Sequence, residues 1–176
     1  MRKVILFIAT SLDGYIADAN GSVDWLSGQG DDSENIDTYS EFIKDIDTAI
    51  MGWNTYHQVI TELSPKEWIY GNLKTYVITH KLSDSSEQIC FTDESPTDLV
   101  KKLKVENGKD IWICGGATIV HQLICADLID KYYISVIPTL LGNGVRLFGE
   151  FPKERKLSLT KTQNYNGITD LIYERR

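Results

Sequence analysis

The sequence has few cysteines, few histidines and no excess of positive charge, and each shortage excludes a class of protein. Its 176 residues include 3 Cys and 3 His, with 18 Lys plus Arg against 25 Asp plus Glu. The resulting net charge of −7 repels a phosphate backbone, so a nucleic-acid-binding module is disfavoured. Cys90, Cys114 and Cys125 form no CxxC pair and leave one thiol over, which indicates a reducing compartment.

Metal-binding and membrane-spanning patterns are also lacking. His121 and Cys125 could share one helix face, but two ligands do not make a zinc site, so no metal is predicted. The apolar run at 4–9 is too short for a signal peptide, and no run approaches the roughly 18 apolar residues of a membrane span. We expect a cytoplasmic protein without a membrane or nucleic-acid partner, forming a single domain over residues 1–176.

Short, continuous apolar runs recur along the chain and are typical of strands that are buried on both faces. These runs are at 4–9, 48–51, 75–78, 111–114 and 132–137. Helical patterns lie between them, at 33–45, 54–63, 96–105 and 116–125. This alternation predicts an α/β fold with a mostly parallel sheet and helices on both faces. Asn166-Gly167, between two strand-like segments, predicts an antiparallel hairpin at the carboxyl-terminal end.

Glycines and polar side chains follow three of the predicted strands. Gly52 precedes Thr55 after one strand, Thr79 follows another, and Gly115-Gly116 follows a third. The carboxyl ends of parallel strands bind ligands, and glycine turns at a helix start allow a phosphate to approach the backbone. Together these ends predict a cleft for an extended phosphorylated ligand such as a dinucleotide. Gly115-Gly116 alone is also compatible with a tight turn, and it is not the GxGxxG of Rossmann folds.

Four motifs resemble, in order, those of the dihydrofolate reductase-like superfamily. They are the segments 11–17 (SLDGYIA), 51–56 (MGWNTY), 113–117 (ICGGA) and 138–144 (PTLLGNG). The resemblance is closer to the branch that contains the reductase domain of the bifunctional riboflavin-biosynthesis deaminase/reductase. It implies a three-layer α/β/α fold, a homodimer, and hydride transfer from NADPH to a small heterocycle. Pterins, flavin precursors and 5-amino-6-(5-phosphoribosylamino)uracil are the substrate types that it suggests.

The resemblance also implies a cofactor site. Ala9 and Ile16 would flank the nicotinamide, the segment 20–25 would be a mobile loop over it, and the three strand ends would hold the phosphates and the adenosine. Where the family has Arg this chain has Trp53, so NADH is not excluded beside NADPH. The implied cofactor-binding residues are Ala9, Ile16, Gly21, Gly52, Trp53, Asn54, Thr55, Ile78, Thr79, His80, Lys81, Gly115, Gly116, Ala117, Thr118 and Ile119.

The first predicted helix lacks the acid of folate reductases. Those enzymes place a carboxylate one turn before an aromatic residue, and the matching aromatic here is Phe42. Four residues earlier on the same helix face stands Thr38, whereas Asp37 is predicted to face solvent. Thr38 and Phe42 are therefore candidates for the substrate side of the cleft, with Thr38 also a candidate catalytic group. We do not expect an efficient folate reductase.

Other candidates for the reaction come from the motifs and the mobile loop. Asp13 is a candidate catalytic group, and Asp24, Trp25 and Arg146 are candidate substrate contacts. Each has a structural alternative: Asp13 could stabilise a turn, Trp25 could pack in the core, and Arg146 could form a surface ion pair. A binding module of the same fold without catalysis, or a structural domain, remains an alternative to a reductase.

Overall fold

The computed structural model describes residues 1–81 and 84–176, which form strands and helices in alternation. The strands, in chain order, are β1 (Val4–Ser11), β2 (Tyr15–Ala17), β3 (Ile46–Gly52), β4 (Lys74–Ile78), β5 (Ile89–Thr92), β6 (Asp110–Gly115), β7 (Lys131–Ile137), β8 (Val145–Arg146), β9 (Leu157–Tyr165) and β10 (Ile168–Arg175). The α-helices are α1 (Thr38–Ile43), α2 (Trp53–Gln58), α3 (Pro96–Val105) and α4 (Ala117–Cys125).

Eight of the strands form one sheet in the order β5-β4-β3-β6-β1-β7-β10-β9. The pairs from β5 to β7 are parallel, whereas β10 pairs antiparallel with both β7 and β9. Strands β2 and β8 form a separate antiparallel ribbon. The predicted mostly parallel sheet and the hairpin at Asn166-Gly167 are confirmed.

The two faces of the sheet carry different side chains. Along β1, Leu6 faces an aliphatic cluster that includes Leu103 of α3 and Leu123 of α4. Its neighbour Ile5 faces the opposite side, where Phe42 of α1 packs in a cluster with aromatic members. Because successive strand residues point to opposite faces, this alternation gives helix layers on both sides of the sheet.

Three of the predicted helices form where the sequence places them. The Ser95 hydroxyl accepts a hydrogen bond from the Asp98 N–H at 3.2 Å, and Pro96 occupies the first turn of α3. Gly116 is the N-cap of α4. The segment predicted at 54–63 consists of α2 and a π-helical turn, Val59–Leu63. Throughout residues 1–81 and 84–176, every helix is too short or too polar to cross a bilayer.

The helix predicted at 33–45 is wrong in extent. A 3-10 turn covers Asp32–Glu34, and α1 begins only after Asp37, whose carboxylate accepts a hydrogen bond from the Ser40 N–H at 2.9 Å. Asp37 therefore starts a new helix by capping it, and Ile36, which lies inside the predicted helix, precedes this cap and is 51% exposed. The short strands β2, β5 and β8 were not predicted, because they have no strong alternating pattern.

Candidate functional site

The carboxyl ends of the central strands open on one cleft with a volume of ≈ 1110 Å³. Gly52 after β3, Thr79 after β4 and Gly115 at the end of β6 all line it, as expected from parallel pairing. Of the predicted cofactor residues, all but Lys81 line the cleft: they are Ala9, Ile16, Gly21, Gly52, Trp53, Asn54, Thr55, Ile78, Thr79, His80, Gly115, Gly116, Ala117, Thr118 and Ile119.

Glycines form the part of the cleft where β3 and β6 lead into helices. Gly115 has φ +134°, a conformation that other residues rarely adopt. A Cβ at Gly116 would lie 3.6 Å from the Thr55 hydroxyl, and one at Gly52 would lie 3.4 Å from the Ile119 side chain. Added carbons would thus narrow the space between the two turns. The first N–H groups of α4, at Ala117 and Thr118, have no carbonyl partner within the helix.

One end of the cleft carries an aromatic side chain and a cation. The Lys81 ammonium lies 4.2 Å from the centroid of the Trp53 ring. Lys81 is exposed and does not itself line the cleft, but its ammonium contacts a side chain that does, and the neighbouring His80 lines the cleft directly. This arrangement places a positive charge beside a half-buried aromatic side chain that lines the cleft.

The loop between β2 and α1 closes one side of the cleft. The Gln58 amide of α2 donates a hydrogen bond to the Gly21 carbonyl at 2.9 Å, which joins the loop to the helix across the cleft. Val23 lines the cleft, but Asp24 is exposed and does not. Trp25 also lies outside it, and its indole N–H donates to the Ser22 carbonyl at 3.2 Å. Neither Asp24 nor Trp25 lines the cleft, and their substrate contacts stay predictions.

Asp13 lies outside the cleft and ties two loops together. Its carboxylate accepts hydrogen bonds from the Ser11 hydroxyl at 2.6 Å and from the Leu141 and Gly142 N–H groups at 3.1 and 2.7 Å. The Ser11 hydroxyl and these N–H groups lower the pKa of Asp13 to about 2. An ionised carboxylate fixed by three donors has no proton to give. These contacts are those of the structural alternative, in which Asp13 stabilises a turn, and a catalytic role for Asp13 stays a prediction.

Arg146 and the α1 residues also stand away from the cleft surface. The Arg146 guanidinium is exposed and lies 4.7 Å from the centroid of the Tyr15 ring. Phe42 stacks on Phe7 with centroids 4.3 Å apart, and Phe7 is the residue that lines the cleft. Thr38 is half-buried behind the wall. The structure thus gives Arg146, Phe42 and Thr38 no direct contact with the cleft, whereas Asp37 is exposed as predicted.

A buried carboxylate stands behind the end of the cleft that Phe7 and Ala9 line. Asp170 of β10 is 0% exposed and accepts a hydrogen bond from the Ser135 hydroxyl at 2.6 Å. Tyr133 and the Gln163 amide also donate to it, at 2.8 and 2.7 Å. Because buried polar groups are costly unless paired, this many donors are what a carboxylate at that depth requires. Ser135 itself lines the cleft.

Two phenols in this network are held in their neutral form. Burial, together with the hydrogen bond to Asp170, raises the pKa of Tyr133 far above its ordinary value. Burial is also the main cause that raises the pKa of Tyr165, while the nearby Thr38 hydroxyl opposes the rise. The half-buried Thr38 lies near both phenols, since its hydroxyl also opposes the rise in the pKa of Tyr133. Both phenols therefore remain hydrogen-bond donors over the physiological pH range.

Sequence reasoning missed Asp170, although the hairpin pattern contains a signal for it. Ile168 and Ile172 point to the buried face of β10, and Asp170 occupies the same parity between them. An acid at an inward position of a strand predicts a buried polar cluster. The partners could not be identified in the same way, because Ser135 faces Asp170 only through the pairing of β7 with β10.

One thiol lines the cleft and is not set up as a nucleophile. Burial raises the pKa of Cys114 to about 11, so the thiol stays protonated, and its sulfur lies 3.6 Å from the Tyr70 hydroxyl. Among residues 1–81 and 84–176, no group of three or more His, Cys, Asp or Glu side chains could hold a metal ion.

The fold is that of the dihydrofolate reductase-like superfamily, in agreement with the motifs of the sequence. Residues 2–171 match the model of the RibD C-terminal domain, so the chain belongs to that family of reductase domains. The resemblance inferred from the four motifs is thereby confirmed.

Individual proteins are similar to this chain over most or all of its length. The YwjB protein of Bacillus subtilis (strain 168) is 39% identical over 99% of this chain and 98% of its own length. Riboflavin biosynthesis protein RibD of Haemophilus influenzae is 27% identical over 90% of this chain, which spans 53% of that protein. A crystal structure of a Shewanella sp. PV-4 protein superposes with a TM-score of 0.85 at 28% identity, covering 99% of both chains.

Proposed function

We propose that the protein is an NADPH-dependent reductase that transfers a hydride to a small heterocycle. The observation that carries this proposal is the convergence of Gly52, Thr79 and Gly115 on one cleft. Membership in the RibD C-terminal domain family supports it, since that family consists of reductase domains. The substrate class we propose is a pterin, a flavin precursor or a ribosylaminopyrimidine of the kind used in riboflavin biosynthesis.

The glycine turns fit the pyrophosphate of a dinucleotide. Gly116 leaves the space beside the Thr55 hydroxyl open, and the first N–H groups of α4, at Ala117 and Thr118, are available as donors at a positive helix end. A backbone surface of this kind binds phosphate oxygens without a large side chain in the way. The residues present therefore match the cofactor that the family implies.

The apolar floor of the cleft suits a nicotinamide ring. Phe7, Ala9 and Ile16 line this part, and the loop that carries Gly21 is tied across it by the Gln58 amide. These side chains exclude water from the place where the reacting carbons would meet, which limits side reactions and strengthens electrostatic contacts there. When bound, NADPH supplies the hydride, and the chain positions the acceptor carbon against it.

The preference for NADPH rests on Lys81 in this proposal. Trp53 takes the place of the Arg in the family motif, and the Lys81 ammonium lies over its ring. The ring offers a face for the adenine, and the ammonium supplies the charge that a 2′-phosphate needs. NADH would lack the phosphate partner and would bind more weakly.

Titration of the purified protein with NADPH and with NADH, followed by tryptophan fluorescence, tests the cofactor proposal. Trp53 and Trp112 line the cleft, so a bound dinucleotide should quench their emission. We expect saturable quenching with tighter binding of NADPH. Absence of quenching, with no binding by calorimetry either, would contradict a dinucleotide site.

Turnover separates a reductase from a binding module that has lost catalysis. A panel of dihydropteridines, flavin precursors and ribosylaminopyrimidines is offered to the NADPH-loaded protein, and oxidation of the cofactor is followed by absorbance. Substrate-dependent oxidation supports the reductase. Tight cofactor binding with no oxidation by any compound of these classes supports the binding module instead.

A further inference from the structure

The buried network behind the cleft carries an assignment that goes beyond the cofactor site. We propose that the Ser135 hydroxyl oxygen accepts a hydrogen bond from an N–H group of the substrate heterocycle, and that Asp170 holds it in this role. The inference deepens the proposed function, on which it rests, by naming the chemistry that the substrate end selects. Ser135 would contact the substrate, and Asp170 would act as a positioning residue.

The direction of one hydrogen bond decides what Ser135 offers to the cleft. Its hydroxyl lies 2.6 Å from an Asp170 carboxylate oxygen, and a carboxylate only accepts. The single Ser135 proton is therefore directed at Asp170. A hydroxyl has one proton and two lone pairs, so the side that faces the cleft presents lone pairs alone. A ligand can meet these with an N–H or O–H donor but not with a carbonyl.

The other hydrogen bonds of the network keep the Ser135 proton directed at Asp170. The other carboxylate oxygen of Asp170 accepts from the Tyr133 hydroxyl and from the Gln163 amide. The Tyr165 hydroxyl lies 3.4 Å from the oxygen that Ser135 uses. Each of these groups donates toward Asp170, so reversing the Ser135 hydroxyl would leave a buried acceptor without its shortest hydrogen bond.

The surroundings of Ser135 on the cleft side make this acceptor selective. Ser135 is 9% exposed and is paired in register with Ala9 of β1, while Phe7 lines the same region. A single oxygen among apolar side chains fixes the orientation of a ring that reaches it. A site built to hydrogen-bond one group rejects analogues that lack that group far more strongly than an apolar pocket rejects an extra methyl.

A pair of probes that differ in their N–H groups tests the assignment. 6-Aminouracil carries ring and amino N–H donors, and 1,3-dimethyl-6-(dimethylamino)uracil has the same ring with every N–H replaced by N-methyl. Both are titrated by calorimetry into the wild-type protein, with and without NADPH. We expect 6-aminouracil to bind at least about tenfold more tightly than the methylated probe, because only 6-aminouracil can donate a hydrogen bond to the Ser135 oxygen.

Three variants test whether Ser135 and Asp170 cause the preference for 6-aminouracil. Ser135→Ala should weaken 6-aminouracil binding about tenfold and leave both the methylated probe and NADPH unchanged. Asp170→Asn, which keeps the side-chain shape, should weaken 6-aminouracil selectively as well, and by a smaller factor. Ser158→Ala is the matched control, since Ser158 lies on β9 of the same hairpin, outside the cleft. It should reproduce the wild-type preference.

The outcomes that overturn the proposal are separable from failure of the cofactor site. Equal binding of the two probes, binding of neither, or an unchanged preference in Ser135→Ala would each refute the acceptor role. In Ser135→Ala, the preference for 6-aminouracil could narrow only because the methylated probe binds more tightly. That result would show that the site selects by shape, and it would also refute the acceptor role. The probes are also titrated without NADPH, so a protein that fails to bind NADPH can still confirm or refute the role of Ser135.

Discussion

The cleft has two regions of different construction. The backbone end consists of the glycine turns at Gly52 and Gly115-Gly116. The side-chain end consists of Ser135 on β7 and, behind it, Asp170 on β10. The turns connect each strand to the helix that follows it directly. Ser135 and Asp170, by contrast, are 35 residues apart and meet only through strand pairing. A backbone surface fits the phosphates that all dinucleotides share, while a side-chain network recognises what one heterocycle presents. The two ends should therefore respond differently to mutation.

The largest effect is expected where the buried network loses its centre. Asp170→Ala leaves the Tyr133, Ser135 and Gln163 donors without their acceptor and opens a void, which should cost about 3–5 kcal/mol of unfolding free energy. Glu174→Ala, on the same strand but in an exposed pair with Lys3, should cost less than about 1 kcal/mol. Chemical denaturation measures the unfolding free energy of both variants. Equal losses in the two would contradict a special contribution of the Asp170 network.

A mutation at the backbone end should weaken NADPH binding and change the free energy of unfolding little. Gly116→Val places a branched side chain where the phosphates are proposed to lie, and we expect NADPH to bind about thirtyfold more weakly, on the order of 2 kcal/mol. Gly149→Val is the matched control, because a Cβ there meets only the His121 ring, at 3.7 Å, away from the cleft. Fluorescence titration of both variants is the measurement. Unchanged affinity in Gly116→Val would count against the phosphate site.

Removal of the Lys81 charge beside Trp53 should have a smaller effect, and one that is selective for NADPH. Lys81→Met removes the ammonium over Trp53, and we expect a loss of about fivefold in NADPH affinity, or about 1 kcal/mol, with NADH unaffected. Lys101→Met, which changes another exposed lysine, on α3, serves as the control. A parallel loss for both cofactors would show that Lys81 does not contact the 2′-phosphate.

The smallest effect is expected at Asp13, which belongs to neither end. Its pKa is lowered to about 2 from 3.8, so its contribution to stability is complete above about pH 4 and is lost as the pH falls towards 2. Asp13→Asn should be less stable than wild type at neutral pH, with the difference shrinking in acid. Cofactor affinity at neutral pH should stay unchanged. Weaker NADPH binding in this variant would reopen a role for Asp13 in the cleft.

The backbone end was predictable because its signals are local. Gly52 and Gly115 each stand between an apolar run and a helix start, and parallel strands bring such turns to the same edge without further information. The helix prediction at 33–45 failed for a local reason too, since Asp37 competes as a cap inside the pattern. Single residues with strong capping preferences can divide a helix that periodicity alone would continue.

The side-chain end was not predictable to the same degree. Thr38 stands where folate reductases carry an acid, yet the structure places the carboxylate of this region on β10, with Thr38 near its phenol partners. Asp24 and Trp25 belong to the predicted mobile loop, and Arg146 follows the last of the four motifs. Which way a loop side chain points depends on contacts made after folding, such as the Trp25 hydrogen bond to the Ser22 carbonyl.

Strand β10 lies between β7 and β9, so the acceptor at Ser135 exists only while the hairpin is docked. The glycine turns after β3 and β6 lie on the other side of β7 and do not depend on that docking. Local opening of the hairpin would dismantle the recognition of the heterocycle and leave the phosphate turns in place. The hydrogen-exchange rate of the Asp170 amide therefore measures how often the hairpin opens, and so how often the proposed heterocycle contact is lost while the proposed dinucleotide site persists.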